Sequence, residues 1–95
     1  MKRNEKPVAF DIASFDTPVL LGLFISILSE KAWEHMGLRV RPGTDKAEKD
    51  LERAMLAIDS IAFLIDRLDP YVKDDEKGRL RSLLADLQID FAKIK

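Results

Sequence analysis

Apolar residues recur every three or four positions along residues 51–68, which is the period of one face of an α-helix. The stripe consists of Leu51, Ala54, Met55, Ile58, Ile61, Ala62, Ile65 and Leu68. It lasts about five turns, so one side of this helix has to be buried against other parts of the chain. This is the clearest helix in the sequence.

Both ends of this helix carry sequence signals. Asp45 stands three residues before Glu48, which is the spacing of a capping box, and we expect the helix to begin near residue 46. Pro70 disfavours the helical conformation at Asp69, so we expect the helix to end near residue 68.

Two further helices are predicted on either side of it. Thr17 is a suitable N-cap before Pro18, and Gly37 can adopt the left-handed conformation that ends a helix, which predicts a helix over residues 18–36. Asp74 and Asp75 can cap a third helix over residues 75–94. The apolar face of that helix contains Leu80, Leu83, Leu84, Leu87, Phe91 and Ile94.

The first sixteen residues show no helical stripe and are interpreted as an extended N-terminal arm. A chain of 95 residues can bury one core, so residues 17–95 are expected to form a single domain. The predicted fold class is all-α, with about three helices in a bundle that self-association completes.

The first helix has an unusually wide apolar surface. Its apolar residues are Val19, Leu20, Leu21, Leu23, Phe24, Ile25, Ile27 and Leu28. They cover roughly 240° of its circumference, so the helix is expected to be buried nearly all round. Small residues at Gly22, Ser26 and Ser29 fill the remaining sector and would let another backbone approach closely.

Leu56 and Phe63 lie on the side of the second helix opposite its main stripe, where a single three-helix bundle offers no burial. Together with Gly22, Ser26 and Ser29 they predict the interface of a homo-oligomer, most simply a two-fold dimer. The alternative is that the arm folds back and covers them within one chain. The apolar residues of the arm are Val8, Phe10, Ile12 and Phe15.

Composition excludes several kinds of chemistry. The chain has no Cys, a single His and a net charge of −1, so thiolate metal sites are excluded and nucleic-acid binding is not expected. No phosphate-binding or hydrolase motif occurs, so we assign no catalytic, cofactor-binding or metal-binding residue. The uncharged run from Thr17 to Ser29 is too short for a membrane span, and we expect a cytoplasmic protein.

Several short motifs then occur in a fixed order. His35-Met36-Gly37 ends the first helix, Pro42 follows in the connector, and Ile58-Asp59 lies in the second helix; Leu83-Leu84-Ala85-Asp86-Leu87 with Phe91 closes the chain. In this order and spacing, residues of about 21–94 resemble a bacterial family known as domain of unknown function 1844. The arm and the start of the first helix depart from the family pattern. The resemblance implies a mainly helical bacterial protein without an assigned activity or cofactor.

The family-like His35, Asp59 and Asp86 suggest a structural polar cluster or a shared surface, in which Asp59 or Asp86 accepts a hydrogen bond from His35. We expect a non-enzymatic helical module for oligomerisation or for binding another protein. The alternative is a small enzyme or ligand-binding domain, with a site between subunits near His35 and the connector over residues 38–46.

Overall fold

A computed structural model describes residues 12–40 and 42–95. Three α-helices make up the fold: α1 (Thr17–His35), α2 (Leu51–Leu68) and α3 (Asp74–Ile94). A short 3-10 helix, Asp69–Tyr71, joins α2 to α3. The prediction of an all-α fold with three packed helices is confirmed. Residues 1–11 of the predicted arm lie outside the described residues.

The start of α1 differs from the prediction. The N-cap is Asp16, whose carboxylate accepts a hydrogen bond from the Thr17 N–H over 2.9 Å, and Thr17 is already helical. Just before it, the N–H of Phe15 donates to the carbonyl of Ile12 over 3.0 Å. This end of the predicted arm is therefore a turn rather than an extended segment.

The end of α1 follows the expected backbone chemistry. Gly37 has a φ of 81°, and its N–H donates to the carbonyl of Glu34 over 3.0 Å. Positive φ is open to glycine at little cost because glycine has no Cβ atom. The chain therefore leaves α1 at the residue that the sequence indicated.

The start of α2 was predicted wrongly. The helix begins at Leu51, and its N-cap is Asp50, whose carboxylate accepts from the Arg53 N–H over 3.1 Å. Lys49 forms an isolated antiparallel bridge with Met36, and the Asp50 N–H donates to the His35 carbonyl over 2.7 Å. This pairing holds the backbone before Leu51 outside the helix, so the capping box predicted at Asp45 does not form.

The α2 helix ends at Leu68 as expected, but for a different reason. Asp69 keeps helical dihedral angles of −49° and −47°, although Pro70 follows it. The chain tightens into the 3-10 helix there, where Pro70 occupies an early position that needs no N–H donor. The Asp69 carboxylate accepts from Arg81 over 2.6 Å, which ties this turn to α3.

The α3 helix starts at Asp74, and its N-cap position is Lys73, which makes no side-chain cap bond. Asp74 and Asp75 are therefore not caps but lie in the first turn, where negative charge favours the helix dipole. Asp75 accepts from the N–H of Glu76 over 2.8 Å.

The core lies around α2, whose predicted stripe is largely buried. The buried residues of α2 are Ala54, Ala57, Ile58, Ile61, Ile65 and Leu68. Met55, predicted in the stripe, is 41% exposed, whereas Ala57, which the prediction left out, is buried. From α3, Leu80, Leu87 and Phe91 reach the core, and Leu83, Leu84 and Ile94 pack against it.

The described residues do not bury α1 all round, so the burial predicted for this helix is not reached within that part of the single chain. Only Ile25, Ser29 and Ala32 are buried within it, while Val19, Phe24 and Ile27 are each about half exposed. The reason is that α1 packs on α2 along one side and touches α3 only slightly. Much of its apolar surface is therefore left uncovered by residues 12–40 and 42–95.

Candidate functional site

The structure does not bring together the three polar residues singled out in the sequence. His35 is half-buried at the end of α1, whereas Asp59 on α2 and Asp86 on α3 are exposed. Among the described residues, no hydrogen bond or ion pair joins His35 to either aspartate. A hydrogen-bonded cluster of the three is therefore absent from the single chain.

His35 instead lies between two shallow clefts near the start of α2. One, of about 250 Å³, is lined by His35, Glu48, Lys49, Asp50 and Arg53. The other, of about 320 Å³, runs along the α1–α2 boundary. Its lining residues include Leu28, Lys31, His35, Arg53, Leu56 and Ser60. His35 and Arg53 thus separate a polar cleft from an apolar one.

The carboxylate of Asp50 is held by two hydrogen bonds from Arg53. Arg53 donates to its carboxylate from the guanidinium over 2.8 Å and from the backbone N–H over 3.1 Å. These bonds hold the pKa of Asp50 below its usual value, the side-chain bond being the larger cause. Asp50 therefore stays ionised and caps α2, which leaves it little freedom for acid–base chemistry.

Sequence reasoning missed a polar link between α1 and α3. The indole N–H of Trp33 donates to the carboxylate of Asp90 over 3.2 Å. The guanidinium of Arg39 lies 4.8 Å from the centre of the Trp33 ring and pairs with Glu30. The available signal was the Trp33 N–H, because a partly buried indole usually finds an acceptor.

An apolar surface follows the α1–α2 boundary on the side of α1 away from α3. Leu56 and Phe63 are 66% and 64% exposed, and Leu56 shares the 320 Å³ cleft with Leu28 of α1. Phe24, 45% exposed, precedes Leu28 by one turn on the same face of α1. We call Phe24, Leu28, Leu56 and Phe63 the hairpin face.

The small residues predicted as part of an interface occupy a different side of α1. Ser29 is only 2% exposed, and its hydroxyl donates to the Ile25 carbonyl over 2.7 Å. A Cβ atom added at Gly22 would meet nothing within 4 Å, so no other described part of the chain packs closely against it. Gly22 and Ser26 line an open groove of about 480 Å³ that α1 shares with Val72 and Leu80.

Within residues 12–40 and 42–95, no group of three or more His, Asp or Glu side chains is arranged to hold a metal ion. None of the helices described is both long enough and apolar enough to span a bilayer.

The order of the helices, with Gly37 ending α1 and Phe91 closing the core, agrees with the resemblance noted in the sequence. The family model described as "Domain of unknown function (DUF1844)" matches residues 18–93. The chain belongs to the DUF1844 family. The match covers all three helices except the first residue of α1 and the last residue of α3, so the three-helix unit is the DUF1844 domain of this chain. It includes the start of α1, which the sequence analysis had placed outside the family pattern. No curated protein and no solved structure matches the chain.

Proposed function

We propose that this DUF1844 domain is a self-association module that forms a two-fold dimer through the hairpin face. The observation that carries the proposal is the exposure of Leu56 and Phe63, both about two-thirds exposed on the α2 helix. Large apolar side chains that are exposed next to one another mark interaction surfaces in soluble proteins. We also propose that the protein acts in the cytoplasm, because the uncharged run from Thr17 to Ser29 is too short to span a membrane.

A second copy of the chain suits this face because the face belongs to two neighbouring antiparallel helices. Two such helix pairs that pack face to face form a four-helix arrangement with an apolar centre. In a two-fold dimer each side chain contributes twice, and burying one Leu or Phe contributes about 1.5–3 kcal/mol. Four such residues per copy can therefore offset the free-energy cost of association.

The test is the molar mass in solution by light scattering over a dilution series. We expect the wild-type chain to show twice the mass of a single chain at micromolar concentration. The double variant Leu56→Ser/Phe63→Ser should show the single-chain mass, because both side chains leave the centre of the interface. Its matched control is Ile89→Ser, which removes a 53% exposed residue from α3 and should leave the dimer intact.

A wild-type chain that stays single at every micromolar concentration contradicts the proposed dimer. A dimer that Ile89→Ser disrupts and Leu56→Ser/Phe63→Ser does not would place the interface on α3 instead.

A second candidate function is the binding of a small anion beside His35. The supporting observation is that His35, Lys49 and Arg53 line one cleft, although Asp50 and Glu48 share it. A ligand present at a hundred times its Kd should raise the stability by about 2.7 kcal/mol. Thermal unfolding with inorganic phosphate, and again with the His35→Ala variant, tests this directly. An unchanged melting temperature in phosphate would count against an anion site.

A further inference from the structure

We propose, on the basis of the dimer proposed above, that α1 of each copy packs over α2 of the other, with Lys31 facing Asp59 of the second copy. The two copies would then run in the same direction, with the two-fold axis parallel to the helices.

The two helices of the hairpin run in opposite directions. His35 lies beside Asp50 and Arg53 at one end, and Leu21 shares a cleft with Arg67 and Tyr71 at the other. Phe24 comes one turn before Leu28, and Phe63 comes two turns after Leu56. Because the helices are antiparallel, Phe24 and Phe63 lie towards the same end of the hairpin face.

Two hairpins can close face to face in two ways about a two-fold axis. With the axis parallel to the helices, α1 of one copy lies over α2 of the other, and Phe24 comes near Phe63 of the second copy. With the axis perpendicular to the helices, α2 lies antiparallel over α2 of the second copy. Both arrangements bury the apolar residues, so the charges at the edge of the face have to distinguish them.

The outer edge of α2 is acidic. Ser60 lines the cleft next to α1. Asp59 lies 100° from Ser60 around the helix, on the other side of Leu56, and therefore on the edge away from α1. Glu52 lies two turns before Asp59 and Asp66 two turns after it, so both continue the same edge. In the described part of the chain these three carboxylates make no ion pair.

An antiparallel α2–α2 contact would bring this acidic edge against its own copy, which places like charges together. The other arrangement brings the edge of α1 onto it instead. Lys31 lies at that edge, level with Leu56, and its side chain is 48% exposed. It pairs with Glu34 over 3.1 Å within its own helix, and its ammonium has two further N–H donors for Asp59 of a second copy.

The experiment is a charge exchange measured by sedimentation equilibrium. Lys31→Glu and Asp59→Lys should each raise the Kd of the dimer roughly two- to tenfold, since the contact occurs twice and is solvent-exposed. The combined variant Lys31→Glu/Asp59→Lys should return the Kd close to that of the wild type. Lys93→Glu and Asp86→Lys reverse charges on exposed positions of α3 and should leave the Kd unchanged.

A neutral variant distinguishes the two arrangements by the sign of its effect. Asp59→Asn should weaken the proposed dimer, whereas it should tighten an antiparallel α2–α2 dimer by relieving repulsion. A tighter Asp59→Asn dimer, or a charge exchange without recovery, overturns this arrangement and leaves the proposed dimer standing. A wild-type chain that is always single overturns both.

Discussion

The indole N–H of Trp33 donates to the carboxylate of Asp90 over 3.2 Å and ties the C-terminal end of α1 to α3. These two helices meet little elsewhere, because each packs mainly on α2. The bond therefore holds α3 beside α1 at a point where few apolar contacts do so. It links residues 57 positions apart in the sequence and is partly buried.

Replacing the acceptor of this bond should loosen the docking of α3. We expect Asp90→Ala to lower the free energy of unfolding by about 1 kcal/mol, because a partly buried donor loses its partner. For a domain of this size that corresponds to a fall in Tm of roughly 4–8 °C. Thermal unfolding followed by circular dichroism measures it.

The control for this variant is Asp86→Ala, one turn earlier on α3. Asp86 is exposed and makes no hydrogen bond in the described part of the chain, and the change gives the same gain in helix propensity. Its Tm should stay the same or rise slightly. Equal losses in the two variants would show that the Trp33 bond contributes nothing.

The N-cap of α2 gives a second prediction, because structure and sequence pattern name different residues. Asp50→Ala should lower the Tm, since it removes the acceptor of the Arg53 N–H, whereas Asp45→Ala should leave the Tm unchanged. Thermal unfolding of both variants in the same buffer decides between the two caps. A lower Tm in Asp45→Ala alone would instead support the capping box that the sequence predicted.

The same residue predicts a dependence on pH. Because Arg53 holds the pKa of Asp50 below 3.8, folding favours the ionised form, and this stabilisation is complete above the ordinary pKa. It is lost as the pH falls through the lower value of the folded state. The difference in Tm between wild type and Asp50→Ala should therefore be constant near neutral pH and shrink below about pH 4. A gap that widens in acid would contradict the sign of the pKa change.

Two glycines that look alike in the sequence should respond in opposite ways to alanine. Gly37 has a φ of 81°, and a Cβ atom there would lie 2.9 Å from the Lys49 side chain, so Gly37→Ala should cost about 1–2 kcal/mol. Gly78 lies within α3, where an added Cβ meets nothing within 4 Å. Gly78→Ala should stabilise the chain by about 0.5–1 kcal/mol. Chemical denaturation of both variants tests the contrast, and losses of equal size would contradict it.

The sequence predicted the helices well where local chemistry decides the backbone. Gly37 ends α1 because only glycine takes a positive φ easily, and the apolar period predicts α2 because one face has to be buried. The predicted stripe differs from the buried face of α2 only at its edges. Met55 at one edge is exposed, while Ala57, at the edge that faces α1, is buried although its side chain is small.

The errors come from contacts between distant parts of the chain. Asp45 and Asp50 are equally good caps in isolation, and the pairing of Lys49 with Met36 selects Asp50. The Trp33–Asp90 bond joins residues 57 positions apart, which no local pattern contains. The width of the apolar surface on α1 was read correctly, but how much of it one chain covers depends on where α2 and α3 pack.

The bridge between Met36 and Lys49, with the bond from Asp50 to His35, brings the two ends of the connector to one point. The helical hairpin is therefore closed at its base by backbone bonds, and the exposed residues around Gly43 form the tip of the loop beyond this closure. Loop-closure entropy grows slowly with length, so a longer tip costs little stability. Evolution or an engineer can thus insert residues next to Gly43 and leave the three helices unchanged.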